Sequence, residues 1–201
     1  MDKEAKITVV GAGSAAFGLS TLVGILRHPD LQGVELFLHD INENGLEKIR
    51  KLAEKMNNAW GSGMKINSSV EREKALEGAD FVVLSIAIDR EKCWRLDRDI
   101  AIRYGINHYA ENGGPGAFAH TARNLSAIMP ILQDMEKYCP QAWLLNFTNP
   151  VPKICTAANL YSNIKTIGIC HQINFGYFIL AALFADELDL RLPRDFNFRW
   201  N

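Results

Sequence analysis

A glycine-containing turn between a strand and a helix constrains the fold of this chain more than any other feature. The run 6–10 predicts a buried strand, the turn follows as Gly11-x-Gly13-x-x-Ala16, and a helix should continue to about Arg27. Gly11 permits a tight turn, Gly13 lets a ligand approach the backbone, and Ala16 allows close packing of helix on strand. This arrangement is typical of Rossmann folds, which bind a dinucleotide pyrophosphate at the helix N-terminus.

Short β-branched runs alternate with longer amphipathic runs after this turn, as in a parallel sheet with helices on both faces. We predict an α/β protein with a doubly wound, Rossmann-type parallel sheet. Further strands are expected at 34–38, 65–68, 81–86, 142–146 and 164–169, and helices after Asn42 and at about 90–104, 120–138 and 174–187. The glycines and proline of 113–116 predict a loop without regular structure.

The composition is that of an ordinary globular protein and excludes several function classes. The chain has 201 residues, of which 48% are hydrophobic, and 22 Lys+Arg against 23 Asp+Glu give a formal net charge of -1. This balance provides no basic field for nucleic acid or an anionic membrane. The four cysteines lack paired spacing, which indicates a reducing compartment, and no apolar run is long enough to span a bilayer. We expect a cytoplasmic protein without a signal peptide and without a nucleic-acid or membrane partner.

An acidic residue, Asp40, ends the second predicted strand. A carboxylate at this position accepts hydrogen bonds from a ribose diol and repels a 2′-phosphate, so NAD is favoured over NADP. The alternative is a tight turn that binds no nucleotide, with Asp40 as a helix-capping acid.

Polar residues also follow the later strands, at the edge where open α/β sheets bind ligands. Ser85 ends the fourth strand, the segment 146–150 (Asn-Phe-Thr-Asn-Pro) ends the fifth, and Cys170-His171 ends the sixth. A thiol and an imidazole there indicate a metal or catalytic centre, although metal sites use three or four protein ligands. The alternative is that Cys170 is a small buried hydrophobe and that the backbone satisfies His171.

These segments resemble the N-terminal half of glycoside hydrolase family 4, the NAD- and divalent-metal-dependent glycosidases that include α-glucosidases, α-galactosidases and α-glucuronidases. The resemblance covers essentially the whole chain, and its last two segments are the specific ones. The matching segments are 7–14 with Phe17, 38–41, 79–82, 113–116, 145–150 and 168–171.

The resemblance implies a role for each candidate residue. Cys170 would ligate the metal, Mn²⁺ or another divalent ion, Asn149 would contact sugar hydroxyls, and His171 would bind sugar or assist proton transfer. A Cys-His pair resembles the branch that acts on non-phosphorylated α-glycosides or uronides. The residues expected to contact NAD are Gly11, Gly13, Ser14, Ala16, Phe17, Asp40, Ser85 and Asn146.

The resemblance also implies the reaction, hydrolysis of an O-glycosidic bond in a small-molecule glycoside. NAD⁺ takes hydride from C3 of the sugar, a base removes the acidified C2 proton, and the metal stabilises the developing enolate. The C1 leaving group departs, water adds, and the hydride returns. Most glycosidases use two carboxylates, and the NAD-dependent family is an exception.

Family members are longer than this chain, and their second metal ligand, a histidine, and their tyrosine base are expected beyond Asn201. We expect residues 1–190 to form the NAD-binding domain and residues 191–201 to begin a missing second domain for substrate binding or dimerisation. Phe196, Phe198 and Trp200 predict a strand there. The chain therefore looks truncated. We expect that the full-length form hydrolyses the glycoside and that it assembles into a homo-oligomer.

Two other functions stay open. A 2-hydroxy-acid dehydrogenase-like NAD oxidoreductase needs an arginine clamp, for which Arg90, Arg95 and Arg98 are candidates, but it leaves Cys170-His171 unexplained. The other is a non-catalytic NAD-binding remnant.

Overall fold

A computed structural model describes residues 5–14, 18–107, 111, 113–187 and 189 of the chain. By its internal contacts the chain divides into two compact units, of which the first ends at Gly168 and the second begins at Ile169. The predicted domain boundary between residues 190 and 191 lies outside the described residues. The predicted strand at 196–200 lies outside them as well.

The first unit is a parallel sheet with helices in the connections. Its strands are β1 Lys6–Val10, β2 Glu35–His39, β3 Lys65–Ser69, β4 Phe81–Leu84, β5 Trp143–Asn146 and β6 Lys165–Gly168. Its helices are α1 Gly18–Arg27, α2 Glu43–Trp60, α3 Arg72–Leu76, α4 Arg90–Arg103, α5 Gly114–Tyr138 and α6 Val151–Tyr161, with a short 3₁₀ helix at Pro29–Leu31.

The sheet has the order β3-β2-β1-β4-β5-β6, and every neighbouring pair is parallel. This is the strand order of the doubly wound dinucleotide-binding fold, which confirms the predicted fold class. The chain leaves β1 toward β2 on one side and returns to pair β4 with the other side of β1. The topological switch point, where such sheets bind ligands, therefore lies at the carboxyl ends of β1 and β4.

The central strands of the sheet are buried on both faces, which explains the continuous apolar runs of β1 and β4. In β4 the side chains of Val82 and Leu84 join one core with residues of α5 and α6, while Val83 joins the other core with residues of α1 and α2. Successive side chains of a strand point to opposite faces, so one strand supplies both cores.

The prediction of a loop at 113–116 is wrong, because α5 begins at Gly114. Pro115 lies in the first helical turn, where a missing N–H leaves no intrahelical hydrogen bond unmade. Gly113 precedes the helix in an extended conformation, with φ of -143°. The short helix α3 was also not predicted.

The second unit contains α7 Gln172–Leu183, close to the predicted helix at 174–187. Many of its apolar side chains are exposed, among them Phe175, Tyr177 and Leu180. No helix in the described part of the chain is long and apolar enough to cross a bilayer.

His39 is a buried polar residue at the end of β2 and is 4% exposed. Its Nδ1 lies 2.9 Å from the carbonyl oxygen of Ser69. Because a carbonyl oxygen only accepts, Nδ1 carries the proton of the neutral ring. Burial lowers the pKa of His39, although the hydrogen bond to Ser69 and the charge of Asp40 oppose this effect.

We predict that stability falls as the pH drops below about 6.5, the ordinary histidine pKa. Below this pH His39 is protonated in the unfolded chain, whereas burial disfavours its protonation in the folded protein. The free energy of unfolding therefore falls by up to about 1.4 kcal/mol per pH unit for this one group. His39→Asn keeps a donor for Ser69 but cannot titrate, and it should flatten the pH dependence of the free energy of unfolding between about pH 7.5 and 5.5. Urea denaturation measures this slope.

The matched control is His28→Asn, at a histidine whose side chain is 55% exposed. The slope of His39→Asn is compared with the slope of this control. An equal slope for wild type and His39→Asn would show that His39 titrates alike in the folded and unfolded states.

Candidate functional site

The register of the sheet brings the ends of its central strands into one row. Val10 pairs with both His39 and Leu84, and Leu84 pairs with Asn146. The next residues continue this row, because Ser85 N donates to the Val10 carbonyl at 3.0 Å. Gly11, Asp40, Ser85 and Asn149 therefore follow their strands at the same edge of the first unit.

The turn after β1 has the backbone geometry that the glycine pattern predicts. Gly11 has φ of +88°, and an added Cβ would lie 2.1 Å from the Ser85 carbonyl oxygen. The N–H groups of Gly11 and Ala12 both donate to the His39 carbonyl, at 2.9 and 3.1 Å. Ala16 and Phe17, predicted to contact NAD, lie outside the described residues.

Close packing of α1 on the turn occurs at Gly18, which the sequence analysis did not single out. An added Cβ at Gly18 would lie 2.4 Å from the Ala12 carbonyl oxygen. Its N–H donates to the carbonyl of Ser14 at 2.9 Å. A glycine seven residues after Gly11 was the signal for this contact.

The Asp40 carboxylate binds the turn directly. Its Oδ2 accepts from the Gly13 N–H at 2.9 Å, and its Oδ1 accepts from the Asn42 N–H at 2.9 Å. The cap of α2 is Asn42, whose side chain accepts from Gly45 N at 3.0 Å. Asp40 is therefore not the capping side chain of α2. It is half-buried, carries a charge beside the turn, and retains lone pairs for hydroxyl donors.

Asn146 is fully buried and shapes the loop after β5. Its Oδ1 accepts from Thr148 N and its Nδ2 donates to the Thr148 carbonyl, both at 3.1 Å, with a further contact to Cys155 Sγ at 3.7 Å. Thr148 Oγ1 in turn accepts from Ile86 N at 3.0 Å, which joins this loop to the one after β4. The amide of Asn146 is thus hydrogen-bonded within its own loop. The contact of Asn146 with NAD stays a prediction.

Asn149 is held at two points by residues that the sequence analysis missed. Its side-chain Nδ2 donates to Glu111 Oε1, and its carbonyl accepts from Asn124 Nδ2 at 2.7 Å. The same Asn124 Nδ2 lies 3.1 Å from His120 Nε2. Arg90 approaches the same Glu111 oxygen as Asn149, with a guanidinium nitrogen 3.6 Å from Oε1.

The spacing of α5 contained a signal for two of these residues. The buried positions of the helix recur every three or four residues, and His120 and Asn124 occupy two of them between Ala117 and Ile128. Polar residues at core-facing helical positions are uncommon and need hydrogen-bond partners. Burial lowers the pKa of His120, while the nearby charge of Glu111 raises it.

Cys170 and His171 belong to the second unit, where both are exposed. Cys170 is a free thiol whose sulfur accepts from Gln172 N at 3.4 Å, and His171 precedes α7 with its carbonyl bonded to Phe175 N at 3.0 Å. Among the described residues, no group of three or more His, Cys, Asp or Glu side chains could hold a metal ion.

The strand order and the glycine turn define a Rossmann-type α/β protein. A family model described as "Family 4 glycosyl hydrolase" matches residues 6–182. The chain belongs to this family, as the resemblance predicted.

Two curated relatives and one solved structure show the range of the similarity. The chain is 40% identical over 171 residues to an alpha-glucosidase of Erwinia rhapontici, with 84% of this chain and 38% of the relative covered. It is 35% identical over 170 residues to an alpha-galactosidase of Bacillus subtilis, with 84% and 39% covered. The chain thus spans about two fifths of the length of these relatives.

The solved structure is the 6-phospho-beta glucosidase from Thermotoga maritima with manganese, NAD+ and glucose-6-phosphate. It superposes with a TM-score of 0.77 at 23% identity. The superposition covers 90% of this chain and 44% of the Thermotoga maritima chain. This likeness establishes the shared fold.

We predict that Gly11→Ala destabilises the protein by about 2–4 kcal/mol, because it combines a positive φ with a backbone clash. Gly24→Ala in α1 is the matched control, since nothing lies within 4 Å of its added Cβ. The control should stabilise by about 0.5–1 kcal/mol through the helix propensity of alanine. Chemical denaturation compares the two, and equal effects would contradict the geometry of the turn.

Proposed function

We propose that this chain is the NAD-binding part of a glycosidase that hydrolyses O-glycosidic bonds of non-phosphorylated α-glycosides or uronides. The observation that carries the proposal is the shared edge of the sheet, where the glycine turn with its Asp40 carboxylate and the loop with Asn149 lie together in a family 4 chain. The glycine turn with Asp40 suits a dinucleotide, and the loop with Asn149 suits a polyhydroxyl substrate.

The described residues fit NAD. A Cβ at Gly11 would clash with the Ser85 carbonyl oxygen, so this glycine lets the turn after β1 pack against the end of β4 at the switch point where a dinucleotide would bind. Asp40 would accept hydrogen bonds from the ribose hydroxyls, and Gly13, Ser14 and Ser85 would line the cofactor. When bound, NAD would supply hydride transfer at C3 of the sugar and would be regenerated in each turnover.

Asn149 would orient the sugar with its amide. Its Nδ2 carries two hydrogens, and one of them is donated to Glu111. The other hydrogen and the side-chain oxygen Oδ1 are available for sugar hydroxyl groups. His171 would bind the sugar or assist proton transfer. The 40% identity to an alpha-glucosidase supports a non-phosphorylated substrate.

Cys170 would be one ligand of a divalent metal, Mn²⁺ in the proposal. Even with His171 it supplies fewer than the three or four protein ligands of most metal centres. The described residues do not form such a centre by themselves, so further ligands would have to come from outside them. The thiol must also lose its proton to coordinate, which would make metal binding depend on pH.

The family match favours a glycosidase over a 2-hydroxy-acid dehydrogenase. The two reactions differ in their use of the cofactor. A glycosidase of this kind needs NAD in catalytic amounts, whereas a dehydrogenase consumes NADH in equal amount with a keto acid.

We predict that the protein binds NAD⁺ more tightly than NADP⁺, because Asp40 repels a 2′-phosphate. Asp40→Ala should weaken NAD⁺ binding by roughly 1–2 kcal/mol, the scale of lost hydrogen bonds to a charged group. Asp40→Asn is the matched control for the charge, since its amide oxygen can still accept from Gly13 N–H, although Asn42 N–H then loses its carboxylate acceptor. It should narrow the difference in affinity between NAD⁺ and NADP⁺. Calorimetric titration measures both affinities, and equal or tighter NADP⁺ binding by the wild type would contradict the proposal.

We also predict that hydrolysis of 4-nitrophenyl α-D-glucoside by the full-length form requires NAD⁺ and Mn²⁺ and causes no net accumulation of NADH. Cys170→Ser should abolish the hydrolysis and leave NAD⁺ affinity unchanged. Cys93→Ser, at another free cysteine, is the control and should retain activity. Stoichiometric NADH oxidation with a keto acid would favour the dehydrogenase, and NAD⁺ binding without hydrolysis by the full-length form would identify a non-catalytic remnant.

A further inference from the structure

A buried polar network on α5 contacts the loop that carries Asn149. We call Glu111, His120, Asn124 and Asn149 the Asn149 network. The two residues on α5 are almost fully inaccessible, with His120 2% and Asn124 0% exposed. They lie 29 and 25 residues from Asn149 in sequence, and only the packing of α5 beside the loop brings them to it.

The amide of Asn124 orders the network. Its Nδ2 donates one hydrogen to the Asn149 carbonyl at 2.7 Å, and its other hydrogen is available to His120 Nε2 at 3.1 Å. Nε2 also lies 3.4 Å from Glu111 Oε2, which is longer than an ordinary N–H···O hydrogen bond. The closer contact therefore decides the tautomer: Nε2 accepts from Asn124, and the proton of His120 lies on Nδ1.

This arrangement is unfavourable for stability alone. His120 Nδ1 and Asn124 Oδ1 are buried and have no hydrogen-bond partner in the described part of the chain. Apolar side chains at these two core-facing positions would avoid that penalty. A buried polar group that is only partly satisfied needs an explanation other than packing.

The contacts of Asn149 explain why positions 120 and 124 carry polar residues. Asn149 is fixed at its backbone carbonyl by Asn124 and at its side-chain amide by Glu111. With both points held, the side chain has one orientation at the carboxyl end of β5. We propose that His120 and Asn124 are positioning residues, which hold Asn149 in the orientation that binds sugar hydroxyls. This inference rests on the proposed function, which assigns the sugar contact to Asn149.

The experiment follows the side-chain amide of Asn149 by nuclear magnetic resonance in the ¹⁵N-labelled chain. His120→Leu removes the acceptor for Asn124, whereas His120→Gln replaces it with an amide oxygen at a similar distance along the side chain. Asn124→Asp is a second variant, which keeps the size of the residue and removes its donor. His28→Leu, at an exposed histidine, is the matched control.

The side-chain amide of Asn149 donates to Glu111 and keeps that hydrogen bond in both variants, whereas the bond from Asn124 to the Asn149 carbonyl is lost in Asn124→Asp and loses its orienting partner in His120→Leu. The side-chain amide signal of Asn149 should therefore change its chemical shift in His120→Leu and Asn124→Asp. His120→Gln and His28→Leu should resemble the wild type, and NAD⁺ affinity should stay within two-fold in all four, a change well below one hydrogen bond. The ¹⁵N shifts of His120 should show a proton on Nδ1 in the wild type. An unchanged Asn149 signal in two folded variants, His120→Leu and Asn124→Asp, would overturn the inference.

A separate measurement tests the sugar contact. Methyl α-D-glucoside added with NAD⁺ should shift the Asn149 amide signal of the wild type. If it does not, the proposed contact of Asn149 with sugar fails, even where the variants show that His120 and Asn124 fix Asn149. If the sugar shifts the signal equally in wild type and His120→Leu, the positioning role fails and the proposed function stands.

Discussion

The parallel pairing of β1 with β2 on one side and β4 on the other is the constraint on which the rest of the structure depends. Because parallel strands end at the same edge, this pairing brings the Gly11 turn, Asp40 and Ser85 together. The turn is then confined by its neighbours, with the His39 carbonyl binding two of its N–H groups and the Ser85 carbonyl filling the space of a side chain at Gly11. The candidate cofactor site is a consequence of strand order.

Several polar side chains at this edge act on the protein's own backbone. Asp40 binds the Gly13 N–H, Asn146 binds the backbone N–H and the carbonyl of Thr148, and Asn124 binds the Asn149 carbonyl. Loops at the end of a buried sheet carry backbone groups that helices and strands do not satisfy, and these side chains supply the missing partners. The same groups that make the edge polar enough to bind a ligand therefore also give its loops a defined shape.

Local patterns predicted the strands well and also the starts of α2 and α4, but they missed the start of α5. The β-branched runs of β1 and β4 are buried on both faces and could be recognised without their partners. The start of α5 was missed because Gly113, Gly114 and Pro115 resemble a loop in isolation, while Pro115 is compatible with a first helical turn. Turn residues have the same local chemistry in both settings, so the sequence alone could not separate them.

The sequence by itself determined the fold class, the family and the glycine turn, because these depend on periodicity and on residues adjacent in the chain. The tertiary structure alone decided which distant polar groups meet. Asn149 contacts Glu111 across 38 residues and Asn124 across 25, and no local pattern encodes such pairs. Their contact depends on the strand register and on the packing of α5 on the sheet, which exist only once the hydrophobic cores on the two faces have formed.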